Sequence, residues 1–351
     1  MNPHLHPWTL RPEGFPQDGF PSDRLAFLLG YAILAPSPHN TQPWQFRLNY
    51  HDLEVLMDPR RLLHISDPLG REATMAVGAA LFHLRVAAEY FGFQPAIAWW
   101  PDPAAHPEVI ARFALGPQTE TTSEDVVLFQ AITARRTNRA TFRPDPIPKI
   151  TWEALATAAR TEGAELIGFS DPDPKMLLAD LVARADRMQW ANRAFRAEFS
   201  SWLRPDADHR ADGMAVGDIV MQDWLAVAGP FWVRTFDRGS RQAATDREIA
   251  QHSPTLAVLI TDGDDTSHWL AAGQAMARVL LTAQAEGVAV SHLNPPIEVP
   301  DYRVQVGQLT GRTGFPQLLL RLGYAPPAPP TPRRSVSAVL LRQDPSQAPP
   351  H

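Results

Sequence analysis

Apolar residues recur every third or fourth position in some stretches and every second in others, and the switches between these periods outline the elements. Leu25, Phe27, Leu28 and Leu34 predict a first helix, with Ser22 as its N-cap and Pro36 as its stop. Two strands follow, Trp44 to Asn49 and Leu53 to Asp58, joined by the polar turn Tyr50-His51 into a hairpin. A long helix spans about Arg71 to Phe91, and Gly92 sits where a left-handed C-terminal residue is expected. Strands near Gln94 to Trp100 and Val109 to Leu115 and a helix from Glu124 to Ala134 come next. Beyond the proline-rich stretch Arg143-Pro144-Asp145-Pro146-Ile147-Pro148, the pattern predicts helices near Trp152 to Arg160 and His268 to Glu286. It also predicts strands at Glu165 to Phe169, Leu256 to Thr261 and Gln317 to Leu322. Residues 174–228 read as mostly helical, with Trp190, Trp202 and Trp224 spread through them. Strands and helices mix without a strict βαβ rhythm, which points to an α+β fold.

A weak internal repeat organises these elements. Gly78 and Gly92 bracket a helical stretch in the first half, Gly273 and Gly287 bracket one in the second, and both spacings are 14 residues. Between them Ala80 matches Ala275, Leu84 matches Val279 and Ala88 matches Ala283. Each helix follows a similar strand, Leu53-Glu54-Val55-Leu56-Met57 in one case and Leu256-Ala257-Val258-Leu259-Ile260 in the other. Two amphipathic helices can share such a pattern by chance; the other reading is a duplicated fold.

Composition narrows the chemistry. The chain has 351 residues, room for one large or two moderate folding units, and it contains no cysteine. Thiolate nucleophiles, iron–sulfur clusters and cysteine zinc sites are thereby excluded, so redox chemistry requires a cofactor. A net charge of −6 without long like-charge runs argues against nucleic acid as a partner. Only Lys149 and Lys175 among the 32 basic residues are lysines. The N-terminus carries no secretory pattern, and His83, Arg85 and Glu89 interrupt the apolar stretch from Met75 to Phe93, so no membrane span and a cytoplasmic location are expected. His4 and His6 read as a frayed terminus, Asp262-Gly263-Asp264-Asp265 as a solvated turn, and no metal site is expected.

No dinucleotide fingerprint, P-loop, serine-hydrolase elbow or zincin motif occurs. Three other segments stand out. In Ala35-Pro36-Ser37-Pro38-His39-Asn40-Thr41-Gln42-Pro43-Trp44, two prolines stiffen a loop that presents a hydroxyl and an amide, groups able to read the edge of a heterocycle. Arg135-Arg136-Thr137-Asn138-Arg139 offers guanidinium groups and a hydroxyl to an anion. Arg321-Leu322-Gly323-Tyr324 and, further on, Pro332-Arg333-Arg334-Ser335 add cationic groups.

Together these segments resemble the FMN-dependent nitroreductase family. The resemblance implies that Arg135, Arg136, Thr137 and Arg139, with Arg333 and Arg334, hold the FMN phosphate and ribityl chain. It implies that Pro36, Ser37, Pro38 and Asn40 meet the flavin ring, with Gln42 and Trp44 packed beneath. By position, the loop Ser291-His292-Leu293-Asn294 lies beside flavin N5, which adds His292, Leu293 and Asn294 to the cofactor-binding set; no side chain is singled out as a catalytic acid or base. In that family the arginine motif precedes the Ser/Asn loop within one short chain, whereas here the loop comes first and the arginines about a hundred residues later. The chain therefore resembles a fused dimer of the twin-domain branch, in which Asp67-Pro68-x-Gly70-Arg71-Glu72 is typical.

The expected architecture is α+β and nitroreductase-like, with two related halves, each a mainly antiparallel sheet flanked by helices. Residues 1–118 would form the N-terminal half with the flavin loop, and 119–351 the C-terminal half with the phosphate-binding arginines and a lid-like helical insert at about 174–228. The resemblance implies an FMN oxidoreductase that takes electrons from NADPH or NADH and reduces a small-molecule acceptor such as a nitroaromatic or quinone. A monomer would act as an intramolecular pseudo-dimer. The alternative is an FMN-sequestering or storage protein whose insert covers the flavin.

Overall fold

The structure, a computed structural model, describes residues 7–106, 108–205, 210–215 and 239–341. His4, His6, Trp224 and the expected helical stretch from 216 to 228 lie outside the described residues. Two four-stranded sheets form the frame. The first contains β1 (Trp44–Leu48), β2 (Asp52–Met57), β3 (Phe93–Trp99) and β4 (Val109–Gln118), in the order β1-β2-β4-β3 with every pair antiparallel. Before and around it run α1 (Pro21–Ala32), α2 (Arg71–Tyr90) and α3 (Ser123–Ala134). Helix α1 starts earlier than the sequence suggests: Phe20 precedes Pro21 at the first helical position, and Asp23, not Ser22, accepts from the Phe20 N–H.

The second half repeats this plan. It begins with α4 (Lys149–Thr161) and β5 (Glu165–Phe169), then inserts α5 (Pro172–Ala191), α6 (Arg193–Ser201), the two-residue strands β6 (Leu203–Arg204) and β7 (Met214–Ala215), and α7 (Gly239–His252). It resumes with β8 (Thr255–Thr261), α8 (Thr266–Ala285), β9 (Ala289–His292), the short turn α9 (Pro295–Glu298), α10 (Pro300–Thr310), β10 (Phe315–Gly323) and the turn α11 (Val336–Val339). The sheet order is β5-β8-β10-β9, again antiparallel. In each sheet the order is first, second, fourth, third, and in each the long helix joins the second strand to the third. The sheet topology thus matches the two halves suggested by the glycine spacing.

The glycines now have physical reasons. Helices α2 and α8 cross at Gly78 and Gly273: a Cβ on Gly78 would sit 3.3 Å from the Gly273 Cα and run into the Leu270 carbonyl, and one on Gly273 would overlap the Met75 backbone. Gly92 and Gly287 end the two helices at φ +78° and +70°, a region that costs other residues steric energy. Helix α2 is buried almost all round, from Arg71 to Ala88, because it lies at the centre of the molecule. The segments leaving each sheet cross to the other. Thr137 forms a parallel bridge with Val290 at the edge of the second sheet, and Leu340 forms one with Phe46 at the edge of the first.

Several elements escaped the sequence reading, among them the short strands β6 and β7 and the turns α9 and α11. Ser291 and His292, expected in a loop, end strand β9, and helices α7 and α10 were not anticipated. Asp264 and Asp265, read as a solvated turn, do structural work. Asp265 caps α8 by accepting from the Ser267 and His268 N–H groups, and Asp264 pairs with Arg303 at 2.7 Å. No helix among the described residues is long and apolar enough to cross a membrane, and no group of three or more His, Asp or Glu is placed to hold a metal ion.

Candidate active site

Between the halves lies a cavity of about 330 Å³, lined by residues from both. Its wall includes Pro36, Ser37, Pro38 and Asn40, then Arg135, Arg136, Thr137 and Arg139, then His292, Leu293 and Asn294, and finally Arg333. Segments separated by hundreds of residues therefore converge. Arg334 is the exception: its guanidinium donates to the Gln42 and Ala338 carbonyls, away from the cavity. Gln42 and Trp44 are fully buried outside the lining.

The loop after α1 is held in a strained shape. His39, Asn40 and Gln42 all have positive φ, 48°, 55° and 52°, without being glycine. Hydrogen bonds hold the conformation. The Ser37 hydroxyl accepts from the Gln42 N–H at 2.9 Å, which leaves its O–H able to donate. Asn40 donates to the Gly213 and Pro332 carbonyls at 3.0 and 3.1 Å and accepts from Arg333 at 2.9 Å. Its amide thus ties the loop to the insert and to the C-terminal segment.

Among the described residues no carboxylate pairs with Arg135, Arg136 or Arg333, and the Nε atoms of Arg135 and Arg333 are buried without a hydrogen-bond partner. Burial, and then the charge of Arg136, pull Arg135 down to about 10; burial alone does the same to Arg136. Arg333 falls well below the ordinary guanidinium value through burial, then Arg135 and Arg136. Arg136 and Arg333 both lie against Trp8, 3.9 and 5.0 Å from its ring centre, and the Trp8 N–H donates to the Thr331 carbonyl at 2.7 Å. Two buried guanidiniums and a half-buried third facing one cavity form a site that favours an anion with several oxygens.

The chain is 33% identical over 329 residues to a Mycobacterium tuberculosis (strain H37Rv) protein named "Putative NAD(P)H nitroreductase Rv3131", covering 90% of this chain and 92% of that protein. The chain belongs to the NAD(P)H nitroreductase family. Another relative from that strain, 29% identical over 326 residues with 90% and 92% coverage, is named "Uncharacterized protein Rv3127". Among solved structures, the FMN-dependent nitroreductase NfnB from Mycobacterium smegmatis, in complex with NADPH, aligns at 18% identity and a TM-score of 0.36, covering 65% of this chain and 99% of that one. A scan against protein-family models found no match.

In this nitroreductase-family chain the segment after α8 is built differently from the loop the sequence suggested. The Leu293 N–H is committed to the Leu319 carbonyl at 2.8 Å, and Pro295 has no N–H. Asn294 donates to Glu72 and accepts from the Leu319 N–H, which joins the second half to α2. His292 lines the cavity as a neutral imidazole, lowered to about 4 by burial and then by Arg135 and Arg139; His39 is lowered to about 4 by burial and Arg139. Sequence reasoning missed Trp8, Glu72, Asp186, Trp190 and Glu298, all of which line the cavity. Trp8 follows a terminus read as frayed, and no spacing connects residues 72, 186 and 298.

Proposed function

We propose that this chain binds one FMN in the cavity between its halves and serves as an NAD(P)H-dependent oxidoreductase for a small-molecule acceptor, a nitroaromatic or quinone or a compound of that kind. The observation that carries the reading is the set of arginines that face the cavity with no carboxylate partner, the buried Arg135 and Arg333 and the half-buried Arg136. The name of the 33% identical relative agrees with it. FMN supplies the redox chemistry when bound. Arg135, Arg136, Arg139 and Arg333 would hold the phosphate, Thr137 would donate its hydroxyl nearby, and Ser37 would donate to the ring. The Asn40 amide would act by fixing the loop. With the halves divided near residue 118, one chain would do the work of a dimer and act as a monomer.

One observation favours a storage role as the second reading. The insert folds against the flavin loop: Gln42 donates to the Ala211 carbonyl at 2.7 Å, Asn40 and Gly213 exchange hydrogen bonds, and Arg61 pairs with Asp212 at 2.9 Å. Trp190, Phe195 and Phe199 from the insert line the cavity. Anaerobic mixing of the FMN-loaded protein with NADPH or NADH separates the readings. Bleaching of flavin absorbance within seconds to minutes supports the oxidoreductase. Bleaching by dithionite alone, with nicotinamide reduction restored by removing residues 190–215, supports storage.

A further inference from the structure

A second chemistry shares the cavity with the arginines. Asp186, Asp246, Glu72 and Glu298 all line it, and they come from α5, α7, α2 and α9. The charges that act on Asp186 and Glu298 are mainly those of other carboxylates. The charges that act on Asp186 are those of Asp246, Glu298 and Arg187, while Glu298 feels Glu72, Arg71 and Asp67. The cavity thus has a cationic end and an acidic end, and Arg321 of β10 senses both, through Arg139 and Asp246.

The acidic end contains an unmet acceptor and an aromatic wall. Asp186 is 3% exposed, its Oδ2 is buried without a hydrogen bond of good geometry, and its nearest polar neighbour is another acid, Asp246. Asp186, Gln189 and Trp190 fall at i, i+3 and i+4 on α5 and so share one helix face, and Gln189 donates to Glu298 at 2.6 Å. Trp190 and Phe199 lie 5.2 Å apart, with Phe195 stacked 6.0 Å from Phe199, and all three rings line the cavity. Carboxylates beside aromatic faces are the chemistry that receives an organic cation: the rings attract positive charge, and the cation relieves the cost of burying an unpaired carboxylate.

We propose that this end selects cationic acceptors, small aromatic molecules bearing an ammonium or amidinium group, with Asp186 as the specificity-determining residue. The proposal rests on the FMN oxidoreductase reading in taking that molecule to be the acceptor. Without a bound cation, Asp186 and Glu298 stay largely protonated at pH 7, while Glu72 is paired with Arg71 at 3.0 Å. Burial and Asp246 raise Asp186 to about 9, burial and Glu72 raise Glu298 to about 8, and burial raises Glu72 to about 7 against the opposing Arg71. Cation binding favours the ionised carboxylates and releases protons, so affinity increases with pH.

The test is equilibrium dialysis of the purified full-length protein, incubated beforehand with excess FMN, against three probes of similar shape: (4-nitrobenzyl)trimethylammonium, 4-nitrotoluene and 4-nitrobenzenesulfonate. The cation is expected to bind at least about tenfold more tightly than the neutral probe, with the preference widening from pH 6 to pH 8.5. Asp186→Asn should remove most of that preference, and Glu298→Gln should reduce it in a second background if the first fails to fold. Equal binding of the three probes, or an unchanged preference in both folded variants, overturns the proposal. Flavin content is measured on the same samples. Protein without FMN that still prefers the cation keeps this site and sinks the proposed redox function, whereas FMN-loaded protein without charge preference sinks only the cation site.

Discussion

The two halves share a scaffold but divide the site between them. Both have the first-second-fourth-third sheet order and a central helix that carries a crossing glycine and ends at a left-handed glycine. Yet the strained loop after α1 has no counterpart after α4, where the chain passes through Gly163, Ala164 and straight into β5. The insert of α5, α6 and α7 has no counterpart between β1 and β2, a tight turn closed by the Asn49 N–H on the Asp52 carbonyl. Packing at the junction constrains what stays alike, and the loops around the cavity are where the halves differ.

The largest effect should come from breaking what is shared. Gly273→Val places a side chain on the Met75 backbone, which cannot move without parting α2 from α8; a loss on the order of 3 kcal/mol or more is expected by denaturant unfolding. Breaking what is divided tests whether one site draws on both halves. Arg135→Ala and Arg333→Ala should each weaken FMN binding by about 1.5–3 kcal/mol, roughly ten- to over a hundredfold by fluorescence titration. Lysine at either position should restore part of that affinity. If only one variant loses affinity, the phosphate does not bridge the two segments.

Acid sensitivity sharpens the comparison further. His83 of α2 is fully buried, lowered to about 3 by burial and then by Arg135, and its Nε2 has no partner. A histidine with a depressed folded-state pKa is neutral in the folded protein while the unfolded chain takes up a proton below about 6.5. Its contribution is therefore present at pH 7 and lost as pH falls toward 3. His83→Leu should flatten the acid limb of the stability profile by about 2 kcal/mol between pH 7 and pH 5, if the leucine is accommodated. Least costly should be Gly287→Ala, at about 1 kcal/mol, with Gly92→Ala somewhat worse because its added Cβ would lie 3.2 Å from the Thr119 carbonyl oxygen; the gap measures how far the two helix ends differ.

Legibility in the sequence followed locality. The first-sheet strands, the long helices and their terminal glycines were readable because period and capping are encoded within a few residues. Helix α10 was not, since Pro300–Thr310 combines Val304, Val306 and Gly307 with no clear apolar face, and burial of Val306 and Thr310 against the rest of the fold compensates. Likewise α7 reads as polar and is held by buried Ala243 and Ala250. At the site, compact motifs gave the loop and the arginines, but not the direction of Arg334 or the engagement of the Asn40 amide. Those depend on partners more than 170 residues away. The acidic end was invisible for the same reason.

The exchange of trailing segments sets an order for folding. Arg333 reaches Asn40 across 293 residues of chain, and the Leu341 N–H closes on the Phe46 carbonyl. During synthesis, the cationic wall cannot be completed until Arg333 has left the ribosome, nor the first sheet's edge until Leu341 has. Contacts of such sequence separation form slowly, because much of the chain must be ordered before they close. Cofactor capture would therefore report that the whole assembly has folded, and a prematurely terminated chain would lack the means to retain it.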